Sequence, residues 1–125
     1  MSQPQRILIV ADEEPVKLIC NALEEGGFAV AAARDSRSAY DEMIGSSFDA
    51  VVIALEATEV DGIDLIRRLR ESPELAAVPV LVLGEWGTGQ VTLAMSQGAD
   101  ACEPLPLDAD RLGASLSRLL NPRAL

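Results

Sequence analysis

The chain has 125 residues, 49% of them hydrophobic, which fits one domain with a buried core and excludes a disordered chain. Twenty acidic residues against ten basic ones give a formal net charge of −10, which argues against a nucleic-acid partner because phosphate contacts need a cationic face. No apolar run approaches the roughly 18 residues of a membrane span, and Ile7–Ala11 is too short for a signal-peptide core, so the reading is a cytoplasmic protein with no membrane partner.

In chain order, short apolar runs alternate with segments of helical period. The runs are Ile7–Ala11, Phe28–Ala33, Ala50–Leu55, Val78–Leu83 and a weaker one at Ala99–Cys102. They are continuously apolar rather than alternating, the pattern of strands buried on both faces of a parallel sheet. After the first comes a helix with Val16, Ile19, Cys20 and Leu23 on one face, stopped by Gly26-Gly27. Tyr40, Met43 and Ile44 mark the second helix. Ile63, Ile66 and Leu69 mark the third, ended by Ser72-Pro73. Val91, Ala94 and Met95 suggest a fourth before Gly98, and Leu112, Leu116, Leu119 and Leu120 a fifth.

Five βα units predict a single α/β three-layer sandwich with right-handed crossovers, one domain over 1–125 with its core at about 6–120. A site in such a fold lies at the carboxyl ends of the strands, where strand order reverses. The residues there are Asp12-Glu13-Glu14, Leu55-Glu56, Gly84-Glu85-Trp86 and Glu103–Leu105. Histidine is absent, which removes the commonest general base, phospho-donor and zinc ligand. Cys20 and Cys102 form no CxxC pair and read as small apolar core residues in a reducing compartment.

Four stretches resemble the receiver domains of response regulators, in the family's order and spacing. "RILIVADEEP" is similar to their first strand and acidic pair. "FDAVVIALEATEVDGIDLIRRLR" is similar to their third strand, loop and third helix. "VPVLVLG" matches the fourth strand, and "GADACEPLPLDADRL" the stretch around their fifth strand. The resemblance runs from about Arg6 to Leu120 and implies a flavodoxin-like fold with a five-stranded parallel sheet of order 2-1-3-4-5. It also implies a place in two-component signalling.

The family's chemistry is nucleophilic: an aspartate ending the third strand takes a phosphoryl group as an acyl phosphate. Its motif sets that acceptor seven residues before the Asp of a D-G pair. Counting back seven from Asp61 reaches Ala54, which cannot accept it. Asp49 lies five residues earlier, roughly 16 Å away along a strand, and Glu56 would need two residues deleted before Asp61-Gly62. By the same resemblance Gly84 stands at the switch-hydroxyl position, Leu105 at the lysine position and Cys102 at the switch-aromatic position. Asp12 and Glu13 retain the acidic pair. The resemblance therefore implies a degenerate pseudo-receiver: no enzyme, but a phosphorylation-independent module acting through protein partners.

Three other features have two readings each. Asp12 and Glu13, with Glu56, can form a vestigial acidic pocket that holds Mg²⁺ weakly, or a merely solvated acidic loop; no other cofactor is expected. Trp86 is either an exposed anchor for a partner or a cover over the vacated pocket against Leu105. The segment 87–120 resembles the family's output face, a surface for a protein partner or for a homodimer, and Gly87, Gly89 and Gly98 suggest that it moves. The alternatives for the whole chain are a conventional phosphoacceptor that uses another residue, or a divalent-metal or small-molecule sensor at the Asp12/Glu13 pocket.

Overall fold

A computed structural model describes residues 3–55, 61–85, 87, 89–105 and 108–121, with the backbone alone at 13–15. Among these the elements alternate as β1 (Arg6–Val10), α1 (Glu13–Glu25), β2 (Ala29–Ala33), α2 (Ser36–Gly45), β3 (Ala50–Ala54), α3 (Gly62–Glu71), β4 (Val80–Gly84), α4 (Gly89–Gln97), β5 (Ala101–Pro104) and α5 (Ala109–Leu120). The strands form one parallel sheet, as the apolar runs predict, in the order β2-β1-β3-β4-β5 that the family resemblance implies.

The continuous apolar character of the strands follows from burial on two sides. Successive residues of a strand point to opposite faces, and both faces here are covered by helices. Leu8, Val10, Val51, Ile53, Val80 and Val82 pack with Leu65, Ile66 and Leu69 of α3 and Val91 and Ala94 of α4. Ile7, Ile9, Ala50, Val52, Leu81 and Leu83 pack with Val16, Ile19 and Leu23 of α1 and Leu112 and Leu116 of α5. At about 25 cal/mol per Å² of apolar surface, these two layers are the main driving force for the fold. No helix among the described residues is long and apolar enough to cross a membrane.

Local signals set the boundaries. Asp35, Asp61 and Asp108 cap α2, α3 and α5, their carboxylates accepting from the amides of Ser38, Asp64 and Asp110. The chain leaves α1 through Gly26 and Gly27, the latter in the left-handed region at φ 94°. The fourth strand starts later than its apolar run suggests, at Val80, and includes Gly84 as its last residue. The fifth shifts likewise, to Ala101–Pro104; as an edge strand it tolerates the terminal proline. Two helical faces also differ from expectation. Ala39 and Met43 form the buried stripe of α2 while Ile44 is 55% exposed, and Met95 of α4 is 41% exposed.

At the amino-terminal end of β4, Arg70 joins three segments. Its Nε and Nη2 donate to the Gly98 carbonyl at 3.0 and 2.7 Å, and Nη1 donates to the carbonyls of Ala76 and Val78 at 3.0 and 2.7 Å. Nη2 also reaches Asp100 Oδ2 at 2.9 Å, and that oxygen accepts from the Val80 amide at 2.8 Å. Gly98, at φ 121°, is required twice over, since a Cβ there would lie 2.9 Å from Arg70 Nε. Arg70→Ala leaves three carbonyls and Asp100 without this donor. It is expected to cost about 2–3 kcal/mol, read as a lower urea midpoint with unchanged slope. Arg70→Lys is expected to recover less than half, because an ammonium cannot reproduce the guanidinium fork.

Candidate functional site

The order of the sheet reverses at β1, so the crevice of this fold opens beyond the carboxyl ends of β1 and β3. Val10 is paired with Ile53, so Asp12 and Ala54 leave the sheet at the same end. Asp12 is half-buried and extended, at φ −66° and ψ 163°, and its carbonyl accepts from the Val16 amide at 2.9 Å to start α1. Its carboxylate makes no capping bond to the helix. The side chain of Glu13 and the whole of Glu56 lie outside the described residues, as does Trp86.

Ala54 is the last residue of β3, opposite Leu83 of β4, and is half-buried. By strand parity it shares a face with Ala50 and Val52, and it packs on the cluster beneath α1 and α5. Leu105 follows β5 and packs on that same cluster. The positions that resemblance assigns to an acid and a lysine thus carry apolar side chains against one shared apolar layer. Gly84 is buried and points to the other layer, beside Leu55 and Val91. Cys102 packs on that second layer as well.

Of the acidic pocket read from the sequence, Asp12, Glu13 and Glu56, only the side chain of Asp12 lies among the described residues. Among the described residues no three His, Cys, Asp or Glu groups are gathered as a metal site. Asp49, weighed above as a substitute acceptor, sits at the far end of β3. Its amide donates to the Arg6 carbonyl at 2.8 Å and its Oδ2 accepts from the Arg6 amide at 2.7 Å, so its work is to start the β1–β3 pairing. Two surface clefts lie elsewhere. One is at the opposite end of the sheet between Ile44, Phe48, Leu75 and Pro79; the other lies between α2 and α3, at Tyr40 and Arg68.

Sequence reasoning missed a polar tie beside the crevice. Ser115, buried on α5, donates to Glu103 of β5, whose other oxygen lies 3.6 Å from Arg111 Nε. A lone serine inside the leucine stripe of α5 was the available signal. The crowding of Gly84 by Leu55 and Val91 left no signal at all, since it depends on how α4 docks.

Comparison with known proteins gives a consistent picture. The model of the response regulator receiver domain family matches residues 7–117. The chain is 31% identical over 119 residues to response regulator MprA of Mycolicibacterium vanbaalenii, covering 94% of this chain and 51% of that protein. It is 34% identical over 116 residues to the transcriptional regulatory protein TcrA of Mycobacterium tuberculosis, covering 91% and 45%. The chain therefore spans about half the length of these curated relatives. Among solved structures it is similar to the signal receiver domain of a signal transduction histidine kinase from Syntrophus aciditrophicus, at TM-score 0.86 and 27% identity, covering 96% of this chain and 92% of that one. It also has the fold of chemotaxis response regulator CheY4 of Vibrio cholerae, at TM-score 0.84 and 20% identity, covering 94% and 99%.

The two thiols sit in opposite layers, Cys20 on the α1/α5 side and Cys102 on the α4 side, and both are free. Burial pushes both upward from the ordinary thiol range, and the carboxylates of Glu24 and Glu103 add to it. The folded chain therefore keeps protons that the unfolded chain loses. The stability this gives is complete below the ordinary thiol range and is lost as pH rises above it through the raised values of the folded thiols. Alkylation by iodoacetamide at pH 8 is expected to be several-fold slower in the folded protein than in urea, because the thiolate is the reactive form. Equal rates would contradict the shift.

Proposed function

The chain belongs to the response regulator receiver domain family, and we propose that within it this is a phosphorylation-independent member, a signalling module that works through protein contacts in a two-component-type pathway. The observation that carries this reading is the methyl group of Ala54 at the end of β3, in the crevice where the family motif sets an aspartate. A carboxylate there would be the nucleophile of acyl phosphate formation; a methyl group has no lone pair to offer.

The surroundings support it on electrostatic grounds. A lysine at position 105 would bring its charge against the apolar layer beneath α1 and α5, where no acid at position 54 could pair with it. Position 105 is half-buried, so an unpaired lysine there would have to turn its charge out to water. Leucine at 105 has no charge to turn out and adds apolar contact. Gly84 and Cys102 likewise carry no hydroxyl and no aromatic ring. Asp12, Glu13 and Glu56 are then a remnant of the family's acidic pocket, and any Mg²⁺ they hold is held weakly.

Partner contact is assigned to the face spanning 87–120, where the molecule could also meet a second copy of itself. In a chain with 24% charged residues, α4 (GQVTLAMSQ) carries no charge, and it exposes 47% of Leu93 and 41% of Met95. An uncharged helix with exposed large apolar side chains suits a protein interface better than bulk water. Trp86, just ahead of this helix, is the candidate anchor. One receiver-like domain with a core at about 6–120 is enough for this role.

Incubation with Mg²⁺ and acetyl phosphate is expected to give no acid-labile phosphate on the wild-type chain. Stoichiometric labelling would overturn the reading and favour a conventional acceptor at another residue. A pull-down is expected to retain a protein that is lost from both Trp86→Ala and Leu93→Asp. Retention by both variants would move the interface elsewhere.

A further inference from the structure

We propose that Gly84 is a steric lock: the bare backbone at the end of β4 lets Val91 and Leu55 close over it, fixing α4 and its uncharged face in one docked position. Glycine is not needed there for its conformation. Among the described glycines only Gly27, Gly87 and Gly98 have positive φ, so the backbone at 84 admits alanine or threonine. What it lacks is room. A Cβ at 84 would lie 3.0 Å from Val91 Cγ2 and 3.3 Å from Leu55 Cδ1, inside the roughly 3.5–4.0 Å of ordinary carbon contact.

Three elements converge on this point. Leu55 follows β3, held by a hydrogen bond from its amide to the Leu83 carbonyl at 3.0 Å. Val91 comes from the first turn of α4 and is 4% exposed, and Ala94 lies one turn on in the same layer. A β-branched side chain on a helix keeps essentially one rotamer. Val91 therefore cannot swing its methyl away, and any side chain at 84 must push the helix itself. The glycines flanking α4 suggest a loose segment, yet its first turn is anchored on β4. A receiver built this way presents its α4 surface permanently, with no ligand needed to arrange it.

The inference concerns packing and holds whether or not the chain takes a phosphoryl group, so its test uses no phosphate. The folding equilibria of wild type, Gly84→Ala, Val91→Ala and the double variant are measured in urea, with amide hydrogen exchange of α4 and α1 alongside. Gly→Ala at a permitted φ ordinarily raises stability. Here Gly84→Ala is expected to lower the folding constant about tenfold, the scale of an overpacked core, and the double variant to recover much of that loss, a coupling that independent sites do not show. If Gly84→Ala does not fold at all, a folded double variant supports the lock and an unfolded one overturns it. In Val91→Ala alone, α4 amides are expected to exchange about tenfold faster while α1 amides stay unchanged. The proposal is overturned if Gly84→Ala is neutral or stabilising, if the two costs simply add, or if α4 and α1 respond alike in Val91→Ala.

Discussion

Burial of β1, β3 and β4 on both faces governs the rest of this structure. A parallel sheet covered by helices on two sides leaves its strands no solvent-facing edge of side chains, so every position along them must be apolar. Ile7–Val10, Ala50–Ile53 and Val80–Leu83 meet that demand without interruption. The first places where polar chemistry can enter are the residues at the strand mouths. Parity then decides which layer each of them serves: Ala54 and Leu105 belong with α1 and α5, whereas Gly84 and Cys102 belong with α4.

Under the proposed function, that division gives the four positions that the resemblance singles out a physical order. An acid and a lysine in one layer form a mutual arrangement, since each makes the other's charge tolerable. Without the acid, a lysine would have no partner beside the apolar layer under α1 and α5, and leucine packs on that layer instead. The second layer follows different logic, because a lost hydroxyl frees volume rather than charge. Volume at the foot of a helix is taken up by the nearest rigid side chain, here Val91, and close packing makes that occupation hard to reverse.

The fold was legible because two-sided burial writes itself into the sequence as unbroken apolar runs, and helix stops at Gly26-Gly27, Ser72-Pro73 and Gly98 bound what lies between. Boundaries were less so. Val78 and Pro79 look like strand, but β4 begins only at Val80, where the amide finds Asp100. Ile44 looked like core because apolar residues at helical spacing usually are, yet the shorter Ala39 faces the sheet and leaves Ile44 outside. At the site, the resemblance alone allowed a count back from Asp61 to Ala54, the position where the family motif sets its acceptor. The Ser115–Glu103 tie and the Arg70 staple could not be found this way, since each joins residues distant in sequence whose partners are set by helix docking.

The glycines near α4 show why composition alone misjudges dynamics. Gly87 and Gly98 do adopt left-handed backbone, and each releases the chain from regular structure where the helix must begin and end. In the proposed lock Gly84 has the opposite effect, because a residue with no side chain in a buried strand lets its neighbours move inward. Flexibility of a segment depends on contact as well as on backbone freedom. Arg70 holds the far end of α4 through the Gly98 carbonyl, and in the proposed lock the packing of Val91 over Gly84 holds the near end. A helix pinned in this way, with no charged residue and with Leu93 and Met95 facing outward, would be preorganised, and a partner docking on it as proposed would have little ordering entropy left to overcome.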